Sequence, residues 1–375
     1  MRTDDRYIQM PRHLRQKTSE KKRIVFDSRS SLFFFTSLFL RLPGIHVETF
    51  YQSMRLSFAS ILLIWLFTHC QPTQQYQSVR IGMCSDVHLP TMHDSKKRIT
   101  AFIDSMEIAQ PDFIIELGDF LIPNEKYAPY YELWKRFPGP KYHVIGNHEM
   151  DGGTSLQEAL AYRGMDNSYF TFEQKGFLFI VLDGNDKKFP DQTGYRSFIG
   201  PVQIQWLQKQ LADATLPIVI FSHQGIGSDP GNPGERYSIE NDAEVRALFE
   251  THNQENPQSK IIACFNGHTH HDHVENRGGI WYITINSMSY KWLGEEYAHI
   301  RYSEAVDKGF RWIKYTAPYK DPLFTVVEIS TEGFIKIAGS YSEYVGPSPW
   351  ELGYPEHLKE VVKPQITERY LEFDF

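Results

Sequence analysis

Cysteine is scarce in this chain of 375 residues. The three cysteines are Cys70, Cys84 and Cys264, which are too few for the dense disulfide framework of a small secreted domain. Cys84 and Cys264 both lie in apolar runs typical of β-strands. We therefore expect these two residues to be buried, unpaired thiols.

An excess of positive charge is also missing. The formal net charge is −7, and because residues 1–30 are basic, the rest of the chain is more acidic than this figure. Domains that bind nucleic acids usually show the opposite balance. We expect no nucleic-acid-binding surface, and solubility is a sufficient reason for the acidic surface.

The N-terminal region lacks an early apolar run long enough to cross a membrane. Residues 31–40 are apolar but fall short of the roughly 20 residues that a spanning helix needs. Met54 and Arg55 open a better pattern, in which residues 56–68 are apolar and a polar spacer follows Cys70. This pattern is typical of a secretory signal. We predict an unstructured leader over residues 1–53, which is untranslated if Met54 is the start, and a signal with its spacer over residues 54–78.

Cys70 stands where the apolar run ends, as does the lipidated cysteine of a bacterial lipoprotein, although His69 occupies a position where a small residue is usual. We therefore expect an exported protein, either periplasmic or anchored through a lipid on Cys70. The alternative is a membrane-anchoring helix that is never cleaved.

Hydrophobic periodicity predicts a chain of alternating strands and helices from residue 79 onward. A main domain is predicted over residues 79–340, and residues 341–375 are predicted to wrap its surface. The predicted helices cover 95–109, 130–137, 201–211 and 240–250. The predicted strands cover 79–84, 113–117, 141–145, 169–172, 177–182, 217–221, 260–265, 272–275, 280–285, 324–329 and 334–339.

Side chains that bind metals follow five of these strands. They form the blocks Asp86 with His88, Asp119, Asn147 with His148, His223, and His268 with His270. Because ligands of open α/β sheets gather at the carboxyl ends of the strands, we expect these residues to converge. Carboxylate, imidazole and amide groups suit Mn²⁺, Fe²⁺ or Zn²⁺.

The number of these groups indicates two metal ions. Asp86, His88, Asp119, Asn147, His223, His268 and His270 are too many ligands for one ion, and two ions about 3.5 to 4 Å apart could share a bridging carboxylate. Asp119 is the candidate bridge. Since residues i and i+2 of an extended chain point to one side, we expect Asp86 with His88, and His268 with His270, each to address one centre, with His271 and His273 facing away.

The ordered set of blocks resembles the calcineurin-like metallophosphoesterases, whose pattern is Asp-x-His, Gly-Asp, Gly-Asn-His-Asp/Glu, a lone His and Gly-His-x-His. The resemblance covers roughly residues 79–339. It implies an α/β fold in which a two-sheet β-sandwich is flanked by helices. It also implies that Asp86, His88, Asp119 and His270 hold one metal ion, and that Asp119, Asn147, His223 and His268 hold the other.

The resemblance further implies a metal-dependent phosphoric ester hydrolase, either a phosphatase or a phosphodiesterase. Two cations lower the pKa of a shared water toward about 7, so that a bridging hydroxide can attack phosphorus. His148 is left without a metal and would contact the phosphate and help the leaving group depart. Glu149 and Asp151 are both candidates to orient its ring.

Two positions depart from patterns seen in relatives. Ile122 stands three residues after Asp119, where purple acid phosphatases carry a tyrosine ligand, so no iron-tyrosinate centre is expected. Gln224 follows His223, where many relatives have a second histidine, which leaves substrate handling open. Tyr195, Tyr237 and Tyr290 are candidates to stack on a nucleoside or sugar, or are core residues.

Two other functions compete with phosphate-ester hydrolysis. Residues 268–273 also satisfy His-x-His-x-Asp-His, the metal motif of metallo-β-lactamase-like hydrolases, but that family places the motif early and the first three blocks would go unexplained. The other alternative is a catalytically silent phosphoesterase fold used for binding. Replacing Asp119 by Asn distinguishes a hydrolase from such a binding protein, because a hydrolase should lose turnover while a binding protein should keep its partner.

Overall fold

The computed structural model describes residues 77–89, 91–227 and 238–374. They belong to one compact unit, residues 75–375. The predicted leader and signal, Cys70 and Tyr237 lie outside the described residues. Among those described, none of the helices combines the length and apolar character needed to cross a membrane.

Short strands dominate the fold. In chain order they are β1 (Ser78–Cys84), β2 (Phe113–Glu116), β3 (Lys141–His143), β4 (Phe170–Gln174), β5 (Phe177–Val181), β6 (Ile218–Phe221), β7 (Ile261–Asn266), β8 (His273–Arg277), β9 (Ile280–Thr284), β10 (Tyr290–Trp292), β11 (Thr316–Pro318), β12 (Thr325–Ser330), β13 (Phe334–Ile337), β14 (Ser340–Tyr341), β15 (Gln365–Ile366) and β16 (Arg369–Glu372).

Two six-stranded sheets contain most of these strands. The first has the order β16-β13-β12-β1-β2-β3, in which β1, β2 and β3 are parallel. The second has the order β4-β5-β6-β7-β9-β8, in which β5, β6, β7 and β9 are parallel. Small ribbons of two strands pair β10 with β11 and β14 with β15.

The two sheets pack face to face over one apolar core. Val79 and Phe113 from the first sheet share this core with Phe179 and Phe221 from the second. The rings of Phe113 and Phe179 meet edge to face with 5.2 Å between their centroids. The predicted two-sheet sandwich is therefore confirmed.

Helices cover the outer faces of both sheets, because parallel strands are buried on two sides. The helices are α1 (Ser95–Ala109), α2 (Ala128–Lys135), α3 (Leu156–Arg163), α4 (Pro201–Asp213), α5 (Asp242–Glu255) and α6 (Glu304–Gly309). Phe102 of α1 and Trp134 of α2 share a second cluster with Cys84 and Ile114 of the first sheet. Leu207 of α4 and Phe249 of α5 pack on the second sheet.

The sequence predicts the longer elements well and misses several short ones. Helix α1 has the predicted ends, and the predicted β4–β5 hairpin forms. Helices α3 and α6, the β10–β11 ribbon and the strands after residue 339 were not predicted. Strand β16 pairs with β13, so the C-terminal residues complete the edge of the first sheet. Cys84 and Cys264 are buried and free, as predicted.

Candidate metal centre

Each predicted block follows the carboxyl end of a parallel strand. Asp86 and His88 follow β1, and Asp119 follows β2. Asn147 follows β3, His223 follows β6, and His268 with His270 follows β7. The strand ends of both sheets thus bring together all seven candidate ligands, from opposite halves of the sandwich.

The backbone at the candidate ligands is strained. Asp86, His88, Asp119, His268 and His270 all have positive φ, between 50° and 71°. This conformation costs a residue with a Cβ on the order of 1 kcal/mol or more, and it persists where the surroundings fix it. Hydrogen bonds fix it here, since Asp86 N–H donates to Gly118 O (3.0 Å) and His88 N–H to Asp119 O (2.9 Å).

These φ angles make one prediction wrong. Alternation along an extended chain was expected to aim His268 and His270 at one centre. Left-handed residues end the alternation, so His268 lies against His223 (3.2 Å between Nδ1 and Nε2) and His270 lies against His88 (2.9 Å between the two Nε2 atoms). The two histidines therefore belong to two different groups, the division that the family resemblance implies.

The first group consists of Asp86, His88 and His270, whose ligand atoms lie within 4.8 Å of one another. His270 Nδ1 lies 2.7 Å from Tyr290 O. A carbonyl oxygen only accepts, so Nδ1 carries the proton and His270 Nε2 presents a lone pair. That lone pair faces Asp86 Oδ1 at 3.2 Å. Although buried, Asp86 Oδ1 has no hydrogen-bond donor among the described residues.

The second group consists of Asp119, His223 and His268, with Asn147 beside them. His223 Nδ1 lies 2.8 Å from Leu117 O, so Nδ1 carries a proton and Nε2 is the ring nitrogen that faces the group. Asp119 Oδ2 and Asn147 Oδ1 each lie 3.2 Å from this atom. Asp119 Oδ2 is also 3.8 Å from His88 Nε2, which joins the second group to the first.

In both groups nitrogen and oxygen atoms that can act as acceptors face one another, an arrangement that repels unless a metal ion or a proton lies between them. The donor set of carboxylate, imidazole and amide oxygen is the one that borderline divalent metals prefer. The residues therefore fit metal ions, and the cluster is able to hold them.

The pKa values in the cluster also indicate a site that favours positive charge. Burial raises the pKa of Asp119, but His223 and His148 outweigh it and hold the pKa well below its usual range. Burial lowers the pKa of His223, but Asp119 outweighs it and raises the pKa to about 10. Burial and the neighbouring His223 lower the pKa of His268 to about 3, which keeps this ring neutral as a ligand must be.

His148 lies at the rim of the cluster. Its side chain is 36% exposed, and Nε2 is 4.0 Å from Asp119 Oδ2. Its Nδ1 lies 2.7 Å from Asp151 Oδ2, so the structure selects Asp151 rather than Glu149 as the residue that orients the ring. The Tyr195 hydroxyl donates to Asp151 Oδ1 at 3.1 Å. Burial lowers the pKa of His148, but Asp119 and Asp151 outweigh it and raise the pKa to about 9.

Glu149 has a different role, which the sequence did not reveal. Its buried carboxylate accepts from the backbone N–H groups of Gly146 (2.8 Å), Asp119 (3.1 Å) and Phe120 (2.7 Å). Arg163 Nη2 lies 3.1 Å from Glu149 Oε1. Glu149 thus ties the loop after β2 to the loop after β3, and a Cβ at Gly146 would collide with both Asp119 and Glu149.

The remaining candidates lie outside the cluster or beside it. Gln224 is buried, and its Nε2 donates to Asn185 Oδ1 at 2.9 Å. Asp272 pairs with Arg369 at 2.6 Å, so the carboxylate of the metallo-β-lactamase-like motif is engaged elsewhere and that alternative loses its support. Tyr290 is buried, and its ring centre lies 5.0 Å from those of His88 and His270.

A family model described as calcineurin-like phosphoesterase matches residues 79–272. The chain belongs to the calcineurin-like phosphoesterase family. The matched residues include every candidate ligand from Asp86 to His270. No curated protein sequence matches this calcineurin-like phosphoesterase at a significant level.

Several solved structures are similar to this calcineurin-like phosphoesterase, and the first one named here shares its fold. A dimetal phosphatase from Danio rerio matches with 14% identity and a TM-score of 0.50, covering 72% of this chain and 99% of that one. GAP50, the anchor in the inner membrane complex of Plasmodium, matches with 16% identity and a TM-score of 0.46, covering 80% and 90%. Phosphopantetheinyl hydrolase from Mycobacterium tuberculosis matches with 11% identity and a TM-score of 0.38, covering 55% and 89%.

A cavity of about 760 Å³ opens onto the cluster of this calcineurin-like phosphoesterase. His88, Asp119, Asn147, His148, His268 and His270 line one end of it. Ile122, Tyr195 and Tyr290 also line it. The cavity is large enough for a small phosphorylated molecule, because ligand pockets typically measure about 300 to 1,000 Å³.

Proposed function

We propose that the protein hydrolyses phosphate mono- or diesters with two divalent metal ions bound in the cluster. The observation that carries this proposal is the meeting of two groups of metal-binding side chains, with Asp119 Oδ2 within 3.8 Å of a histidine of each group. Membership of the calcineurin-like phosphoesterase family supports it.

The proposed division of ligands follows the two groups. Asp86, His88 and His270 would hold one ion, Asn147, His223 and His268 the other, and Asp119 would contact both. The positions of Asp119 Oδ2, 3.2 Å from His223 Nε2 and 3.8 Å from His88 Nε2, support this division. When bound, Mn²⁺, Fe²⁺ or Zn²⁺ ions would make a water nucleophilic near neutral pH and draw charge from the phosphoryl oxygens.

The proposed role of His148 is to give a proton to the leaving oxygen. Its Nδ1–H donates to Asp151, so Nε2 is the atom left to face the substrate. Tyr195, through its bond to Asp151, would hold the carboxylate in place. An imidazole so held serves as a general acid because the departing alkoxide is a strong base.

The test is to remove and restore the metal. The purified protein is stripped with a chelator, Mn²⁺, Zn²⁺ or Fe²⁺ is added back separately, and hydrolysis of a chromogenic monoester is compared with that of a diester. We expect activity to vanish and to return with at least one metal, and we expect the Asp119→Asn variant to stay inactive. If no metal restores hydrolysis of either ester, the proposal is wrong.

We also propose that the reaction takes place outside the cytoplasm, with the protein periplasmic or held by a lipid on Cys70. The signal-like pattern from Met54 to Cys70 supports this. Cell fractionation of the wild type and a Cys70→Ala variant tests it. A lipid anchor predicts that the variant leaves the membrane fraction, an uncleaved helix predicts that it stays there, and a cytoplasmic wild type contradicts export.

A further inference from the structure

The cavity beside the candidate metal centre has a second set of lining residues that the metal chemistry does not use. They are Trp292, Leu293, Trp312 and Tyr354, which we name the aromatic wall. All four residues follow residue 272, where the match to the family ends. The wall is therefore built by the part of the chain that the family pattern does not describe.

Strand β10 links the wall to the metal centre. Tyr290 and Trp292 are separated by one residue of the strand and so project from the same face. Tyr290 packs on His88 and His270, with ring centres 5.0 Å apart in both cases. Lys291 between them is buried and donates to Thr269 O at 2.8 Å, which fixes the strand to the loop that carries His268 and His270.

The two tryptophans remain partly open to solvent. Trp292 is 43% exposed and Trp312 is 44% exposed. The ring of Tyr315 lies 6.1 Å from the Trp292 ring and 5.9 Å from the Trp312 ring, measured between centroids. The Arg311 guanidinium lies 4.6 Å from the centre of the Trp312 ring. Large apolar side chains left open inside a concave site mark a place where a ligand binds.

Leu293 and Tyr354 form the buried base of the wall. Both are 7% exposed and belong to one small apolar cluster with Ala317, Leu358 and Val362. The Tyr354 ring is held edge to face against Tyr297 at 5.1 Å. The wall is therefore braced by packing from behind and presents aromatic surface toward the cavity.

We propose that the aromatic wall binds the alcohol part of the substrate, and that this alcohol carries a planar aromatic ring. The proposal rests on the proposed function for the phosphate end and on the wall for the other end. Rigid aromatic side chains offer flat surfaces on which a ring can stack, a contact that tolerates different ring types. A flexible alkyl chain would lose conformational freedom when held on these tryptophans, whereas a flat, rigid ring loses little.

The test compares esters with similar leaving groups. Metal-restored protein is assayed with ethyl phosphate, octyl phosphate and 2-phenylethyl phosphate, which differ in what the wall can touch. We expect kcat/KM to be highest for the phenylethyl ester, and we expect Trp292→Ala to reduce the phenylethyl-to-ethyl ratio about 10-fold. The control is Tyr370→Ala, an exposed tyrosine of β16 that is stacked on Phe334 and should leave the ratio unchanged.

A binding measurement separates failure of the wall from failure of the proposed function. The probes are 3-phenylpropylphosphonate and propylphosphonate, which cannot be hydrolysed, titrated by calorimetry. Suppose that no ester is hydrolysed, but that the wild type binds 3-phenylpropylphosphonate about 10-fold tighter than propylphosphonate and Trp292→Ala does not. The inference about the wall is then supported and the proposed function is wrong. If esters are hydrolysed with equal phenylethyl-to-ethyl ratios in wild type and Trp292→Ala, or octyl phosphate is preferred, the inference is overturned.

Discussion

Single side chains set the chemistry of the site through hydrogen bonds that leave one atom free to act. His148 is the example. Its Nδ1 is taken by Asp151, and Asp151 is also bonded by Tyr195, so only Nε2 is directed toward the centre. Neither the bond from Tyr195 to Asp151 nor the choice of Asp151 over Glu149 could be predicted from the sequence, because both depend on loop conformation rather than on spacing.

His148→Ala should reduce turnover in a way that depends on the leaving group. A departing alkoxide needs a proton, so kcat for 2-phenylethyl phosphate should fall about 10² to 10⁴-fold. A nitrophenolate leaves without one, so 4-nitrophenyl phosphate should lose far less. Steady-state kinetics with both esters tests this, and an equal loss for both would exclude His148 as the proton donor.

Glu116 and His143 form a buried pair beneath the site. Their side chains are 2.8 Å apart, and Glu116 Oε2 also accepts from Gly118 N–H at 2.7 Å. Burial raises the pKa of Glu116 to about 8, and Arg163 only partly offsets this. Burial, with Arg163 adding to it, holds the pKa of His143 well below its usual range. Near neutral pH the folded pair is therefore uncharged, with Glu116 protonated.

This pair predicts a stability that depends on pH. The folded state holds the Glu116 proton up to pH about 8 while the unfolded state releases it earlier, so stability is lost as the pH rises toward 8. Glu116→Gln removes this effect. Between pH 6 and pH 9 the wild type should lose about 2 to 3 kcal/mol more than the variant. Urea denaturation at both pH values measures it, and identical pH dependence would contradict the assignment.

At the scale of elements, helix α3 holds the site together from outside. Arg163 at its end donates to Leu121 O at 2.6 Å and contacts Glu149 at 3.1 Å, so it connects the helix to both loops. The sequence did not predict α3 because its apolar face is narrow, with Ala159 and Arg163 as its buried residues. The capping box of Ser155 and Glu158 was the signal that could have located its start.

Arg163→Met should destabilise the fold because it leaves the Glu149 carboxylate buried without its cation. Breaking such a buried pair typically costs about 3 to 5 kcal/mol. The matched control is Arg136→Met, since Arg136 pairs with Asp104 and Glu107 on the surface, where solvent screens the charges, and its loss should matter far less. Urea denaturation compares the free energies of unfolding of the two variants. Similar losses would contradict a stabilising role of the buried Arg163–Glu149 pair.

Hydrophobic periodicity predicts the longer elements and misses the short ones. Helix α1 buries Ile99, Phe102, Ile103 and Met106 at helical spacing, and its ends were predicted. Strands β10 and β11 have three residues each, too few to show alternation, and Trp292 of the aromatic wall is the last residue of β10. The alternation of side chains holds only for extended chains, so it gave a wrong prediction at His268 and His270, whose backbone is left-handed.

At the scale of the whole molecule, the sandwich brings ligands more than 180 positions apart into contact, as His88 and His270 show, which are 182 positions apart. The order of the blocks along the chain was enough to predict this meeting, because parallel strands send their carboxyl ends to one edge. The aromatic wall was not predictable from the sequence. Its residues all follow residue 272, and they line the cavity only because the chain folds back toward the block of Asp86 and His88.

The metal content of the reconstituted protein tests the central claim most directly. A chelator removes bound metal from the wild type and from the Asp119→Asn and His148→Ala variants. Each protein is then loaded with Mn²⁺ and freed of unbound metal, and its metal content is measured by inductively coupled plasma mass spectrometry. The account predicts about two ions per chain in the wild type and in His148→Ala, and fewer in Asp119→Asn. A wild type that retains one ion or none, or an Asp119→Asn variant that retains two, would contradict it.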